Sequence, residues 1–393
     1  MALIVQKYGG NLLSTPEKVL AVANKIKKLI DEGDQVVAVV SAMGKTTDEL
    51  IDLAYKVSAK PIRRELDMLL SVGERISMSL LSMALNDLKV PAKSFTGSQS
   101  GILTESDHTQ ARIYDVKPIR IEAELAKKSM IIIAGFQGVS HMEKEITTLG
   151  RGGTDTTAVA MSYSLKADRC EIIKEVGGIY SADPAQISKA KRYEELNYDV
   201  ALEATYWGAK ILHFRAVELA KKLNIPIQIK HIDDPKITTT IRGDVKMLES
   251  QKIITISSVK NIAVCEFSSD LKKTLSEVGE FLKKNTLPWP QILATESTEN
   301  STKLFISSSD ESLKVVIGAI KESKSYKNCD DQHSTVTATC FGSTNTDLSL
   351  KILEQLEKKN VHAEKIFYTP QSISVLVKSK DRDTAISALH ELV

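Results

Sequence analysis

Nearly unbroken apolar segments of strand length alternate with amphipathic helical segments through the first part of the chain. Pro16 to Glu32 has apolar residues at helical spacing, and the segment that follows it, Gln35 to Val40, is apolar after its first residue. Strands that are apolar on both faces are typical of a parallel sheet covered by helices on both sides. Three further segments also indicate strands: Leu3 to Gln6, Met130 to Ala134 and Cys170 to Ile173. Residues 1–243 are therefore predicted to form one α/β domain, an α/β/α sandwich.

The pattern changes after a polar stretch that ends near Ser250. Shorter strands and helices then follow one another in an order that fits two copies of a βαββαβ, or ferredoxin-like, unit. The predicted units occupy residues 250–330 and 331–393. Units of this kind expose one sheet face and usually pair side by side, which favours a role in ligand sensing or dimerisation.

The overall charge argues against proteins that depend on a bulk positive field. The 393 residues include 52 Lys and Arg against 50 Asp and Glu, which gives a formal net charge of +2. Neither nucleic acid nor an anionic membrane surface is therefore expected as a partner, and an anionic ligand must be held by a local set of donors. The longest apolar runs are strand-sized, so no membrane-spanning segment is predicted.

The cysteines and histidines show no metal-ligand spacing. Because the cysteines are far apart and lack C-x-x-C spacing, we expect neither a disulfide framework nor a metal site, and a cytoplasmic protein with reduced thiols. They are Cys170, Cys265, Cys329 and Cys340. Histidines away from the loops discussed below are expected at surface or turn positions. They are His108, His141, His231, His333, His362 and His390.

The first candidate site is a glycine turn directly after the first strand, Lys7-Tyr8-Gly9-Gly10-Asn11. Adjacent glycines allow a phosphate to approach the backbone and receive its N–H groups, and Lys7 adds a mobile positive charge. A plain tight turn is equally compatible with so short a motif. The motif differs from a Walker A loop, because no Gly-Lys-Ser or Gly-Lys-Thr opens the following helix.

The second candidate site runs from Gly150 to Thr157 and opens a predicted helix. The free N–H groups and the positive dipole end of a helix N-terminus, together with glycines, form an anion cradle. Arg151 has the fork geometry for a carboxylate or phosphate, and Asp155 can cap the helix or orient a cationic side chain. A helix cap with a solvated arginine is the simpler alternative.

A third glycine turn follows the strand Cys170 to Ile173. It contains Gly177-Gly178 and ends in an Asp-Pro turn at Asp183, which suits a loop that closes over a nucleotide, with Tyr180 available to pack on a base. A purely structural turn is an equal alternative. Elsewhere, Glu74 supplies a carboxylate near a predicted helix start and Lys210 supplies a second lysine after a predicted helix.

Taken in order, these motifs resemble the amino acid kinase superfamily and, within it, the aspartate kinase family. The resemblance covers essentially all of the first 230 residues, and the C-terminal βαββαβ pair looks like the ACT domains that follow the kinase in this family. The matching segments are Lys7 to Gly10, Val40 to Leu50, Ser71 to Glu74, Thr96 to Ile102, Phe136 to Gly138, Leu149 to Thr157, Ala167 to Ile172, Tyr180 to Pro184 and Gly208 to His213.

The resemblance implies phosphorylation of the β-carboxylate of L-aspartate by ATP, giving 4-phospho-L-aspartate for lysine, threonine and methionine synthesis. It also implies Mg²⁺ held mainly through the nucleotide phosphates, and a homodimer joined through the ACT units. The implied catalytic residues are Lys7, Asp155 and Lys210. The implied substrate-binding residues are Ser41, Thr47, Glu74, Arg151 and Thr154. The implied nucleotide-binding residues are Lys7, Gly9, Gly10, Gly152, Gly153, Tyr180, Asp183 and Lys210. Lys174 is added to them as a departure from the family pattern whose charge is expected to replace part of that of an arginine usual in the family.

Several positions depart from the family pattern on the nucleotide side. Asn11 and Leu12 stand where two hydroxyl residues are usual, Lys174-Glu175 replaces Thr-Asp, and Ala185 replaces an arginine. These changes leave two alternatives open: a relative that phosphorylates another amino acid carboxylate, and a non-catalytic regulatory or scaffold protein.

The strand-to-helix turn of the first ACT unit also departs from the family. It reads Phe267-Ser268-Ser269-Asp270-Leu271, without the usual glycine. We therefore expect weak or absent inhibition by lysine or threonine.

Overall fold

The alternation of strands and helices predicted from the sequence is present in the computed structural model, which describes residues 2–245, 252–285, 287, 289–308, 310–342 and 344–393. In chain order, the helices are α1 (Pro16–Asp31), α2 (Thr46–Val57), α3 (Arg63–Leu70), α4 (Val72–Asp87), α5 (Ile119–Leu125), α6 (Gly153–Ser164), α7 (Tyr198–Tyr206), α8 (Phe214–Leu223), α9 (Leu271–Lys284), α10 (Asp310–Ile320), α11 (Thr346–Glu357) and α12 (Arg382–His390). The strands are β1 (Leu3–Tyr8), β2 (Gln35–Val40), β3 (Ala92–Phe95), β4 (Ile102–Thr104), β5 (Ile113–Val116), β6 (Met130–Ala134), β7 (Gln137–Ser140), β8 (Ile146–Thr148), β9 (Arg169–Lys174), β10 (Ile179–Tyr180), β11 (Arg192–Tyr193), β12 (Glu195–Leu196), β13 (Ile227–His231), β14 (Thr238–Ile241), β15 (Ile253–Phe267), β16 (Gln291–Thr298), β17 (Ser301–Ser307), β18 (Tyr326–Cys340), β19 (Lys365–Tyr368) and β20 (Ser372–Lys378).

These elements pack into two units. The first unit comprises Met1–Ile179, Tyr193–Tyr198 and Ile211–Val245, and the second comprises Tyr180–Arg192, Asp199–Lys210 and Lys246–Val393. Two segments inside the predicted domain 1–243 thus pack with the second unit. Residue 250, the predicted start of the next domain, lies outside the described residues.

The first unit is built on an eight-stranded sheet in the order β12-β14-β13-β9-β1-β2-β6-β3. Its central strands are parallel, with β1 between β2 and β9. Side chains alternate between the two faces. Tyr8 and Val40 pack in one hydrophobic cluster with α1 and α4, whereas Lys7 faces α6 on the other side. The predicted α/β/α sandwich is confirmed.

The helical run formed by α3, Ser71 and α4 is, by length and composition alone, long and apolar enough to cross a membrane. Half of its most apolar window is buried within the protein. Its buried residues include Leu81 and Leu85, which pack against the sheet, and the carboxylate of Glu74. A buried carboxyl group, and apolar side chains that pack against a sheet, are properties of a core helix in an α/β domain.

The second unit contains a six-stranded antiparallel sheet in the order β16-β17-β15-β18-β20-β19. The sequence pattern predicts two short strands here, Ile253 to Ile256 and Ala263 to Phe267, but β15 is a single strand of 15 residues. The strand is continuous because its partner β18 is equally long and the pairing continues through irregularities near Val259 and Ile262. The first half of β15 packs in one hydrophobic cluster with α11 and α12. The second half packs in another with α9 and α10. Each of the two helix-covered lobes therefore shares β15 and β18.

A disulfide joins Cys265 of β15 to Cys329 of β18. The expectation that the chain contains only reduced thiols is wrong for this pair. The two residues are directly opposite in the strand register, with their Cα atoms 4.0 Å apart, although 64 positions separate them in sequence. Sequence spacing gives no sign of such a cross-strand pair, because the register is set by the long-range pairing of two strands. Cys170 and Cys340 are free and buried.

Candidate active site

A buried ion pair lies where β1 ends and α6 begins. Lys7 Nζ is 2.7 Å from Asp155 Oδ1, and each side chain is about one-tenth exposed. Burial by itself would raise the pKa of Asp155, but the positive charges of Lys7 and then Lys174 hold that pKa below its ordinary value. The backbone N–H of His213 donates to Asp155 Oδ2 at 3.3 Å. Asp155 is therefore an ionised carboxylate that fixes the Lys7 ammonium group at the sheet edge.

Glycines line this ion pair on both sides. The Lys7 ammonium lies against Gly9, where a Cβ would be 3.6 Å from Nζ. At Gly10 a Cβ would lie 2.7 Å from the carbonyl oxygen of Ala42, so only glycine permits this approach of two backbone segments. Gly152 precedes α6 with φ +72°, and a side chain there would overlap the His213 ring. Gly153 is the first residue of α6.

Glu74 in the first turn of α4 is a buried carboxylate with one open acceptor. The backbone N–H of Ala42, just beyond β2, donates to Glu74 Oε1 at 3.1 Å. Among the described residues Glu74 Oε2 has no hydrogen-bond partner. Burial raises the pKa of Glu74 to about 7, despite the hydrogen bonds that lower it. A cationic group is the partner that a buried carboxylate oxygen of this kind lacks.

The remaining predicted substrate residues of the first unit lie on loops and helix starts. Ser41 follows β2, and its N–H donates to the Tyr8 carbonyl at 3.1 Å. Thr47 is half-buried in the first turn of α2. Arg151 is exposed just before α6, whereas Thr154 is buried within it. The helix start thus carries one solvent-facing cation and one buried carboxylate four positions apart.

Lys174 at the end of β9 belongs to the same electrostatic cluster as Lys7 and Asp155. Burial lowers the pKa of Lys174 to about 8; the charge of Asp155 opposes this shift and the like charge of Lys7 adds to it. Two lysines and one carboxylate therefore leave a net positive charge where three parallel strands end together. Such a site suits an anion larger than a single carboxylate.

Three residues that depart from the family pattern lie away from this charge cluster. Leu12 is buried in the hydrophobic cluster with α1 and α4, so its side chain serves the core. Asn11 is exposed, and its carbonyl accepts hydrogen bonds from Ser14 Oγ and Lys18 Nζ. Glu175, the residue after Lys174, forms an exposed ion pair with Lys18 at 3.1 Å.

Three predicted nucleotide or catalytic residues belong to segments that pack with the second unit. The carbonyl of Tyr180 accepts a hydrogen bond from Thr255 Oγ1 at 2.9 Å. Asp183 Oδ1 accepts one from the N–H of Ala185 at 3.0 Å, which closes the predicted Asp-Pro turn. Lys210 is exposed at the end of its segment.

His213 is part of the site but was given no role by the sequence. Besides its N–H bond to Asp155, its ring lies against Gly152, and its Nδ1 accepts a hydrogen bond from the Arg215 N–H at 3.4 Å at the start of α8. Burial, and after it the charge of Arg215, lower the pKa of His213. The 58 positions between His213 and Asp155 explain why sequence spacing gave no signal.

Comparison with known proteins identifies the family. The model of the amino acid kinase family matches residues 2–231. The aspartokinase of Corynebacterium glutamicum is 37% identical over 406 residues, covering 100% of this chain and 96% of the relative. Aspartokinase 2 of Bacillus subtilis is 35% identical over 400 residues, covering 100% and 97%. The chain belongs to the aspartokinases of the amino acid kinase family.

Solved aspartokinase structures share the fold of this family member. E. coli aspartokinase III in complex with aspartate and ADP matches with a TM-score of 0.76 and 21% identity, covering 100% of this chain and 99% of that one. Aspartate kinase from Synechocystis matches with a TM-score of 0.57 and 30% identity, covering 99% of this chain and 69% of that one. The β-sheet regions after the kinase domain are consistent with the predicted ACT units.

Proposed function

We propose that the chain phosphorylates the β-carboxylate of L-aspartate with ATP to form 4-phospho-L-aspartate. The observation that carries this proposal is the buried Lys7–Asp155 pair at the end of β1, which is flanked by glycines. The open carboxylate of Glu74 is linked to the same glycine turn through Ala42. Family membership supports it at the level of the whole chain. The product belongs to the route to lysine, threonine and methionine that the family resemblance implies.

The chemistry needs charge neutralisation more than proton transfer. The β-carboxylate is ionised at neutral pH, so its oxygen attacks the γ-phosphorus directly as the bond from that phosphorus to the β,γ-bridging oxygen breaks and ADP leaves. No proton is moved in this step. Lys7 offsets the negative charge that develops on the transferring group, with the N–H groups of Gly9, Gly10 and Gly152 as fixed donors. The N–H of Gly153, which the resemblance also implied as a donor, instead donates to the Gly150 carbonyl at 3.0 Å. Asp155 acts through Lys7, whose ammonium group it holds in place.

Aspartate is proposed to bind through its two α-substituents. Glu74 Oε2 would receive the α-ammonium group, which supplies the cationic partner that this oxygen lacks among the described residues. Arg151 would pair with the α-carboxylate, and Ser41, Thr47 and Thr154 would supply polar contacts. Recognition of the ammonium group distinguishes an amino acid from a plain dicarboxylate.

ATP is proposed to bind at the charge cluster of Lys7 and Lys174 in the first unit. The family resemblance also implies Tyr180, Asp183 and Lys210 as nucleotide residues, and these three belong to segments that pack with the second unit. Among the residues that the structure describes, no three His, Cys, Asp or Glu side chains come together as a metal site. The Mg²⁺ that accompanies ATP is proposed to be held mainly by phosphate oxygens and water, as its preference for hydrated octahedral coordination predicts. The bound cation would neutralise phosphate charge.

We also propose that the enzyme forms a homodimer through its ACT units. The second unit supports this proposal, because α9 to α12 pack on its β-sheet. Units of this type commonly pair through their sheets. Light scattering coupled to size-exclusion chromatography measures the dimer directly. A monomer at micromolar concentration would contradict it.

The decisive experiment traps the acyl phosphate as its hydroxamate in the presence of ATP and Mg²⁺. The panel comprises L-aspartate, L-glutamate and succinate, with ADP formation measured in parallel. We expect hydroxamate with L-aspartate and little with the other two acids. The Lys7→Ala variant serves as the catalytically impaired control for background ATP hydrolysis.

Each alternative has its own result in this assay. Preference for another amino acid would replace aspartate as the substrate while leaving the kinase chemistry in place. Equal rates with succinate and aspartate would remove Glu74 from substrate recognition. No product with any acid, in a folded protein that binds ATP, would favour a non-catalytic regulatory role.

A further inference from the structure

A second buried carboxylate, Asp67 in α3, lies outside the proposed catalytic machinery and forms an extensive set of hydrogen bonds. Its side chain is fully buried. Asp67 Oδ1 accepts from Thr148 Oγ1 at 2.5 Å, and Oδ2 is 2.7 Å from His108 Nδ1. The backbone N–H of Thr109 lies 3.1 Å from both oxygens. His108 lies in a turn, as the sequence predicted, and its ring nitrogen contacts this carboxylate.

The donors come from two segments that are distant from Asp67 in sequence. One is the 108–109 loop, 41 and 42 positions away, and the other is the end of β8, 81 positions away. A buried carboxylate is stable only when its lone pairs are satisfied, so Asp67 holds both segments at fixed positions relative to α3. α3 leads through Ser71 into α4, the helix that carries Glu74.

Both segments border the loop that carries Arg151. The Ala111 N–H donates to the Thr148 carbonyl at 3.0 Å, and a Cβ at Gly150 would lie 3.0 Å from the Thr109 carbonyl. From the other side, the Arg215 guanidinium donates to the carbonyls of Leu149 at 2.6 Å and Ala111 at 3.2 Å. The backbone before Arg151 is thus held between Asp67 and Arg215.

We infer that Asp67 is a positioning residue that sets the separation between Arg151 and Glu74, and thereby the fit of the amino acid substrate. This inference rests on the proposed role of Arg151 as the clamp for the α-carboxylate. Asp67 connects the helical run that carries Glu74 to the loop that carries Arg151. A shift of about 1 Å in such a contact can cost on the order of a hundredfold in rate.

The test uses Asp67→Asn, which keeps the size of the side chain but replaces one acceptor oxygen by an NH₂ group that faces N–H or imidazole donors. We expect KM for aspartate to rise about tenfold or more, with KM for ATP changed less than about threefold. Asp52→Asn, an exposed aspartate on neighbouring α2, is the matched control and should leave both constants unchanged. Thr148→Val is a milder second variant if Asp67→Asn does not fold.

A double-mutant cycle separates positioning from a general loss of stability. In an Arg151→Ala background, Asp67→Asn should add little further increase in KM for aspartate, because the residue through which it acts is gone. Equal increases in KM for both substrates, or effects that multiply fully with Arg151→Ala, would overturn the inference. If Arg151→Ala itself leaves KM for aspartate unchanged, the proposed substrate clamp is wrong. If Arg151→Ala raises it but Asp67→Asn and Thr148→Val do not, only the role of Asp67 is wrong.

Discussion

At the scale of single residues, the two buried carboxylates of the proposed site differ in their partners. Asp155 has the Lys7 ammonium group at 2.7 Å, which keeps its pKa low in spite of burial. Among the residues that the structure describes, Glu74 receives hydrogen bonds from backbone N–H groups and from no cation, so burial raises its pKa to about 7. The first carboxylate therefore has a permanent counterion, whereas the second has an open oxygen at which the substrate ammonium group is proposed to bind.

Removing the charge of Lys7 tests its assignment to the phosphoryl site. Lys7→Ala should lower kcat by about a hundredfold or more, because it removes stabilisation of charge that develops in the transition state. Lys27→Ala, which breaks an exposed pair with Asp31 on α1, should retain normal turnover. Steady-state kinetics below the unfolding temperature of both variants make the comparison. Near-normal kcat in Lys7→Ala would remove this lysine from the mechanism.

The raised pKa of Glu74 predicts how aspartate use depends on pH. Only the ionised carboxylate can accept the α-ammonium group, so kcat/KM for aspartate should fall about tenfold per pH unit as the pH drops below about 7. Glu74→Gln should lower kcat/KM at neutral pH and lose this acidic limb, because the amide does not titrate. The pH profile of kcat/KM for ATP serves as the internal control. An unchanged acidic limb in Glu74→Gln would assign it to another group.

At the scale of elements, the start of α6 combines three features that the sequence predicted for the site: a glycine turn, a helix N-terminus and a carboxylate. The helix begins at Gly153, directly after a glycine with positive φ, and its first turn carries Asp155 opposite the end of β1. Local pattern predicts this much, because glycines, a helix start and a preceding strand all leave a signal in the sequence.

Long-range register leaves no comparable signal. The N–H bond from His213 to Asp155, the Cys265–Cys329 pair and the continuity of β15 each depend on which distant segments meet. Residue types and spacing therefore predict the sandwich and the candidate loops, whereas the partners of Asp67 and Asp155 require the folded structure.

The glycine before α6 permits a matched test of backbone geometry. Gly152→Ala combines an unfavourable φ of +72° with overlap of the new Cβ and the His213 side chain, so both the melting temperature and activity should fall. Gly33→Ala, in the turn before β2, has φ +98° but nothing within 4 Å of the added atom. It should cost about 1–2 kcal/mol with normal activity. Equal thermal losses and normal activity in both variants would show that contact with His213 is unimportant.

At the scale of the whole molecule, charge is concentrated locally while the chain remains close to neutral. The first unit has a positive cluster at Lys7 and Lys174. The second has a cavity of about 530 Å³ whose charged lining is internally paired: Lys303 lies 2.8 Å from Glu266, and Lys378 lies 3.0 Å from Asp330. A ligand entering this cavity would have to compete with existing ion pairs.

The last prediction concerns feedback by lysine or threonine. An effector inhibits only if it binds one conformation better than another, and the turn from Ser268 to Asp270 offers few open donors for its carboxylate. The Ser268 N–H donates to the Ser325 carbonyl at 2.7 Å, Ser269 Oγ is 2.8 Å from Thr274 Oγ1, and Asp270 Oδ1 caps α9 by accepting from the Lys273 N–H at 3.0 Å. We therefore expect weak or absent inhibition by millimolar lysine or threonine.

Initial rates across a concentration series of each amino acid, with calorimetric titration of the same protein, measure this directly. Ser268→Gly restores a glycine to the turn and is expected to leave basal turnover unchanged, which makes it the companion variant. Strong cooperative inhibition of the native chain, abolished by substitution at Ser268 or Asp270, would show that the altered turn still forms an effector site. Binding without inhibition would show that the effector site recognises the amino acid but is not coupled to activity. An effector with equal affinity for both conformations does not shift the equilibrium between them.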